Sequence, residues 1–189
     1  MSLLRTLTIL TVTMLSTSPV LAENSRHYLE FGLSSSTLNK KASVGAPVQS
    51  ESDVDGGILK YGYDFNNWFA VEGHLGRTAS VENTALSYTS GINYMGFAGA
   101  RFNLRYDHFT LYALGGAGFA QIAETSSGTD YQLNKVGPAY GVGLDFYGSK
   151  STSISVAYIQ YIDTSDVDLS SLQLTIKFYF DKPKIQSRY

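Results

Sequence analysis

Ser171-Leu172-Gln173-Leu174-Thr175-Ile176-Lys177-Phe178-Tyr179-Phe180 is the stretch whose reading decides the fold. Leu172, Leu174, Ile176, Phe178 and Phe180 share one parity, and Ser171, Gln173, Thr175, Lys177 and Tyr179 share the other. Successive side chains of a β-strand point to opposite faces, so the segment is a strand with one apolar and one polar face. In a soluble sheet those faces are core and water. Behind an export leader, and recurring seven more times along the chain, they become lipid outside and a polar lumen inside.

The N-terminus has the form of such a leader. Arg5 supplies a positive start, Leu7 through Leu15 an apolar run, and Val20-Leu21-Ala22 a small-residue cleavage site. The run is too short and too rich in threonine to cross a bilayer as a helix, which takes about 20 residues. Residues 1–22 therefore read as a signal peptide. Its removal leaves 167 residues and moves the net charge from −2 to −3. That length suits one domain.

Composition narrows the function classes. The mildly acidic balance lacks the basic footprint of a nucleic-acid binder. With no cysteine, an exported chain has no disulfide scaffold, and a closed ladder of backbone hydrogen bonds is the alternative source of stability. After residue 22 no apolar run is long enough for a membrane helix, so a membrane-spanning form must use strands.

Eight strands are predicted, at about 27–36, 54–65, 68–77, 88–103, 109–121, 136–147, 152–162 and 171–180. The first sets His27, Leu29, Phe31 and Leu33 against Tyr28, Glu30, Gly32 and Ser34; the second sets Leu59, Tyr61 and Tyr63 against Lys60, Gly62 and Asp64. The third opposes Phe69, Val71 and Leu75 to Glu72 and His74, and the seventh points Ile154, Val156 and Tyr158 outward. Connections alternate in length. Those at 37–53, 77–87, 122–135 and 163–168 are long or polar, whereas 66–67, 104–108 and 148–151 are short. Asn66-Asn67 reads as a tight turn because Asn tolerates left-handed backbone angles. The alternation fits short periplasmic turns, longer external loops and both termini in the periplasm. The fold expected is all-β, an eight-stranded antiparallel up-and-down transmembrane β-barrel over residues 23–180, with a short periplasmic tail at 181–189.

Gly115-Gly116-Ala117-Gly118 and Gly141-Val142-Gly143 resemble phosphate-cradling loops only superficially, since they lie inside strands and no helix follows. Small residues instead relieve crowding in a narrow, curved barrel. The chain resembles the small eight-stranded outer-membrane barrels of Gram-negative bacteria, similar to outer membrane proteins A and X. The likeness rests on Tyr61-Gly62-Tyr63-Asp64-Phe65-Asn66 leading into Phe69-Ala70-Val71-Glu72, on Tyr112 through Gly118, and on Ile176-Lys177-Phe178-Tyr179-Phe180. It departs from the family's ending, because Asp181 through Tyr189 follow the last aromatic strand. The resemblance implies residence in the outer membrane among lipid and lipopolysaccharide. It also implies insertion by the barrel assembly machinery through the final strand, and a host or surface ligand at the loops.

Glu30, Lys60, Glu72, Arg101, Asp145 and Lys177 carry lumen parity near the periplasmic strand ends, with Glu30 expected beside Lys177 and Lys60, and Glu72 beside Lys60 and Arg101. An ion-pair network filling the interior accounts for them better than an ion path, because eight strands leave room for little beyond side chains. Tyr61, Tyr63, Phe69, Leu172, Leu174, Ile176, Phe178 and Phe180 are the membrane-facing set, and clustered aromatics at the periplasmic ends read as an interfacial girdle. Catalysis needs a nucleophile beside a base. Of three histidines, His27 opens a strand, His108 lies in a turn and His74 points inward by Glu72 without a third ligand, so neither an enzyme nor a metal or cofactor site is expected. Asp163, Asp166 and Asp168 read as a solvated acidic loop. The function expected is structural or surface-interacting, with specificity in the external loops. A narrow solute or ion channel is the alternative within the same fold. A soluble periplasmic lipocalin-like carrier, apolar inside and polar outside, is the alternative of another class.

Overall fold

The computed structural model describes residues 25–41, 50–83, 88–149 and 151–180; the expected leader and C-terminal tail lie outside them. Its strands are β1 (Arg26–Lys40), β2 (Ser50–Asp64), β3 (Phe69–Thr78), β4 (Val81–Asn83), β5 (Tyr88–Arg105), β6 (Phe109–Ser126), β7 (Thr129–Tyr147), β8 (Thr152–Asp163) and β9 (Val167–Tyr179). All pairings are antiparallel between chain neighbours, and β1 closes on β9 with Glu30 opposite Lys177. The short β4 continues β3 along β5 after a break at Ala79-Ser80, so the ring has eight positions. No helix occurs among the described residues.

Alternation governs facing throughout. Leu172, Leu174, Ile176, Phe178 and Phe180 are exposed on the outer wall, as are Phe31, Leu33, Leu59, Tyr61, Val71 and Leu75, while Tyr63 and Phe69 are partly covered on the same wall. Ile154, Val156 and Tyr158 are exposed on β8. A soluble carrier would reverse this arrangement.

Three expectations change. First, the strands run further outward than predicted. Residues 122–135 are not a long loop: β6 and β7 stay paired to Ser126 and Thr129 across a two-residue turn. Ser127 (φ 50°) and Gly128 (φ 79°) adopt left-handed angles there, a turn whose twist matches that of paired strands. Thr129 to Ala139 pair with β6 only, so this hairpin rises beyond β8. The β8–β9 connection is also tight, with Thr164 N–H donating to Val167 O at 3.1 Å. Second, Asn66 turns the chain with its side chain, not with a left-handed backbone. Its Oδ1 accepts from Trp68 N–H (2.9 Å) and Phe69 N–H (2.8 Å), and Ser127 alone among the described non-glycine residues has positive φ.

Third, the interior is not polar from end to end. Towards the external loops Leu38, Val54, Ile58, Ile92, Ile122, Ile162, Val167 and Leu169 pack inward as a continuous apolar layer. Register shifts between Ile92 and Tyr94 on β5, and between Gln160 and Ile162 on β8, accompany the layer; the second brings Tyr161 and Ile162 inside together. Polar parity therefore holds over the half nearer the turns at 66–67, 106–108 and 148–151, and returns beyond the apolar layer at Lys40 and Glu124.

Two outcomes test this placement. Leu174 lies in a row with Leu33 and Val156 across the outer wall. Leu174→Arg should impair folding into liposomes by about 2–4 kcal/mol if that row is near mid-membrane, with Leu174→Ile nearly neutral. On intact cells an impermeant maleimide should label Ser127→Cys and spare Ser149→Cys; the reverse would invert the orientation.

Candidate functional site

The half of the interior nearer the turns at 66–67, 106–108 and 148–151 holds a chain of alternating charge. Lys60 Nζ donates to Glu30 Oε1 at 2.7 Å, and Lys177 Nζ lies 3.3 Å from Glu30 Oε2 and 2.6 Å from Asp145 Oδ2. Arg101 then bridges Asp145 (Nη2 to Oδ2, 2.5 Å) and Glu72 (Nη1 to Oε2, 3.1 Å). All six side chains are buried. Three cations face three anions, so the chain is neutral as a whole. Burying a lone charge is costly, and each of these has partners that offset the loss of water.

Neutral groups add further hydrogen bonds, leaving Asp145 Oδ1 and Asn103 Nδ2 buried without one. Tyr28 OH donates to Glu72 Oε2 at 2.5 Å, Thr175 donates to Glu30 Oε1, and Arg101 Nε donates to Asn103 Oδ1 at 2.8 Å. The Arg101 guanidinium lies 3.5 Å from the centre of the Tyr112 ring, whose hydroxyl is 3.0 Å from Ser155 Oγ. His74 is occupied on both nitrogens, by Glu72 at Nε2 (2.5 Å) and by the Tyr161 hydroxyl at Nδ1 (3.0 Å). A neutral imidazole satisfies both contacts, donating to the carboxylate and accepting from the phenol. Gln173 Nε2 in turn donates to Tyr161 OH at 2.8 Å.

The glycines gain a specific purpose here. Tyr28 pairs with Gly62 and Tyr112 with Gly143, and a Cβ on either glycine would fall within 2.1–2.3 Å of the tyrosine ring. Each glycine makes the space in which a ring lies flat against the inner wall and reaches the ion chain.

The neighbours expected for Glu30 are the ones it has. Glu72 differs: its register partner on β2 is Gly62, and it reaches Arg101, whereas Lys60 lies opposite His74. Strand register sets this, because Glu72 falls two residues below Lys60's partner. Two further ion clusters escaped the sequence reading. Asp64 Oδ2 binds Arg105 Nη2 (2.5 Å) and Arg26 Nη2 (3.6 Å) at the periplasmic end. Lys40 Nζ binds Glu124 Oε2 (3.0 Å), and Glu124 Oε1 accepts from Tyr88 OH (2.6 Å), above the apolar layer. Arg105, Lys40 and Glu124 all lie beyond the predicted strand ends, where parity was not followed.

The acidic side chains near the β8–β9 turn have separate partners. Asp163 accepts from Tyr140 OH at 2.8 Å, and Asp166 faces Lys135 at 3.5 Å. Among the described residues no group of three or more His, Cys, Asp or Glu is placed to hold a metal. A shallow groove of about 280 Å³ at the external mouth is lined by Lys40, Lys41, Glu51, Asp166 and Asp168 among others.

Comparison with known proteins agrees with this architecture. The chain is similar in structure to Ail, the attachment invasion locus protein of Yersinia pestis, at 25% identity and TM-score 0.63, over 83% of this chain and 99% of that one. Neisserial surface protein A aligns at 10% identity and TM-score 0.64, covering 83% and 99%. The N-terminal β-barrel domain of Pseudomonas aeruginosa OprF aligns at 14% and 0.54, covering 83% and 100%. No curated protein matches by sequence. Residues 7–180 match the family described as Outer membrane protein beta-barrel domain, and with that match and the closed antiparallel ring the chain belongs to this family of outer-membrane barrels.

Proposed function

We propose that the barrel is a non-conducting, non-catalytic surface protein whose external rim engages a partner. One observation carries the reading: the interior is filled twice over, by the neutral ion chain below and the apolar layer above. A channel would require both to move. The ion chain joins β1, β2, β3, β5, β7 and β9, so moving it means separating charges held on most of the ring. For catalysis, the buried His74 has no nitrogen left to activate a nucleophile.

With the interior closed, the external end is the surface available for function. A rigid scaffold displaying connections is a common way to place binding residues. Here the β6–β7 hairpin rises above β8 with the mouth groove nearby. The similarity to Ail supports the same direction, since that protein is named for attachment and invasion and has been solved with the heparin analogue sucrose octasulfate. At the mouth groove of this chain Lys41 stands among Glu51, Asp166 and Asp168, while Lys40 is buried against Glu124, which disfavours a polyanionic partner.

Attachment is the direct test. Bacteria displaying the full chain should bind a host-cell monolayer, and replacing the exposed tip, residues 125–130, by a shorter turn should reduce binding to background while heat-modifiable gel migration stays normal. Undiminished attachment would sink the proposal for the hairpin.

The closed interior has its own tests. Refolded protein free of porins should give no steady conductance in planar bilayers; reproducible large open steps in the unmodified chain would establish the channel instead. Glu72→Ala leaves Arg101 with one carboxylate and should destabilise the barrel in urea by about 3–5 kcal/mol. Adding Arg101→Leu should then cost less than the sum of the two single changes, because they share one network.

A further inference from the structure

β8 leaves the barrel wall before it ends. It pairs with β7 only as far as Gln160, opposite Tyr140, although β7 continues along β6 to Thr129. Past that point the register against β9 slips between Gln160 and Ile162, and Tyr161 and Ile162 are both fully buried. The segment folds across the inner face of β7 instead of lying beside it. A Cβ on Gly137 would come within 3.2 Å of Thr164 Cγ2 and 3.4 Å of Ile162 Cγ2, and one on Gly118 would strike Tyr161 O. Gly118 belongs to β6, which is not a neighbour of β8 in the ring. Gly118, Gly137 and Ala139 form a bed of small residues, and residues 161–164 lie in it as a strap.

One side chain latches the strap. Tyr161 crosses the lumen from β8 to His74 on β3, the strand diametrically opposite in the ring. Its hydroxyl accepts from Gln173 Nε2 (2.8 Å) and so has its own proton to give to His74 Nδ1 (3.0 Å). His74 Nε2 is committed to Glu72. β8 supplies no member of the ion chain, and its other side-chain bond across the lumen among the described residues runs from Ser155 to Tyr112. Tyr161 is therefore the tie between the upper part of β8 and the charged interior.

His74 is placed to control that tie. It faces Glu72 on its own strand, Lys60 across the β2 register and Tyr161 from β8. Glu30 on β1, Lys177 on β9, Arg101 on β5 and Asp145 on β7 complete the charges around it, and Tyr28 on β1 and Tyr112 on β6 are the remaining titratable neighbours. An imidazole that takes a second proton has no acceptor left at Nδ1, so it loses the bond from Tyr161. It also becomes a fourth cation among three carboxylates, with no counterion to offset it.

We propose that the β8 strap is an acid-released latch: neutral His74 holds Tyr161, and with it residues 161–164, inside the lumen, and protonation of His74 lets them go. Closure and proton uptake oppose one another, so the strap is held near neutral pH and loosens as pH falls. The turn that follows, residues 164–168, lines the external mouth groove, whose shape then follows the state of the latch. The inference concerns the strap itself and stands whether or not the groove binds a partner.

The test uses the refolded full chain in maltoside micelles. Amide hydrogen exchange and imidazole ring shifts are followed by NMR from about pH 7.5 to about pH 4.5, the range in which histidine titrates. After correction for the intrinsic rate, the Ile162 and Thr164 amides should lose about tenfold or more of their protection, with the midpoint at which the His74 ring titrates. The amides of Leu174 and Ile176, in the wall, should keep theirs. His74→Gln retains a donor and an acceptor that do not titrate and should hold the strap protected throughout, which also separates the effect from carboxylate titration at the acid end. Tyr161→Phe should leave Ile162 and Thr164 poorly protected at every pH. His27→Gln with His108→Gln, outside the lumen, should respond as the unmodified chain does. Gel migration checks folding, and the unmodified chain alone decides the matter if the His74 variant does not fold. A His74 ring that stays neutral to the acid limit would overturn the proposal. So would a ring that titrates while Ile162 keeps its protection, as when Gln173 turns its amide to accept from Tyr161, or an equal loss of protection in His74→Gln.

Discussion

Charge neutrality in a confined space is the constraint on which the rest of the structure depends. Eight strands close around an interior with room for side chains and little else, and lipid surrounds the wall outside. A charge placed there can reach neither bulk water nor counterions, so it must find its partner on another strand. Glu30, Lys60, Lys177, Asp145, Arg101 and Glu72 satisfy this by alternating in sign along one continuous path. Paired burial of this kind adds less to stability than its contact distances suggest, because desolvation opposes it. Its stronger consequence is specificity. A slip of one residue in any participating strand turns a charged side chain to the lipid, so the network penalises wrong registers heavily.

The remaining features complement that constraint. Tyr28 and Tyr112 bring aromatic faces and hydroxyls to the charges, and Gly62 and Gly143 give the rings their places. The apolar layer above uses the opposite solution, filling the same narrow space with groups that need no partner. Between the two layers, Ser34, Ser36 and Gln173 are buried polar residues with side-chain oxygens lacking a protein partner, a polar zone suited to internal water.

Much of this was legible in the sequence because a two-residue period is a strict geometric rule. The facing of β9, and that of Leu59, Tyr61, Leu75, Ile154 and Val156, follows from parity alone. So does the inward position of Arg101, although glycine and alanine around it blur the pattern. Parity does not state depth. Leu38 shares a face with Ser34 and Ser36, and Leu169 with Ser171, so the change from polar to apolar interior required knowing where along the axis each residue lies. Polar composition misled in the hairpin: Gln132, Asn134 and Lys135 resemble loop residues, yet they remain in a strand standing in water, where an apolar face is not required.

The middle of the network joins the two ends of the barrel sheet. Glu30, on the first strand, binds Lys60 soon after it in sequence and Lys177 on the last strand, while Asp145 binds Arg101 and the same Lys177. A polypeptide that ends between Asp145 and Lys177 has two carboxylates with one fewer cation between them and a sheet that cannot close. Its half-built interior carries net negative charge, the state that hydrocarbon tolerates least. Late truncation is thereby registered in the electrostatics: a chain cut between Asp145 and Lys177 keeps one uncompensated negative charge inside, and such products are at a disadvantage in entering the bilayer before any protease distinguishes them.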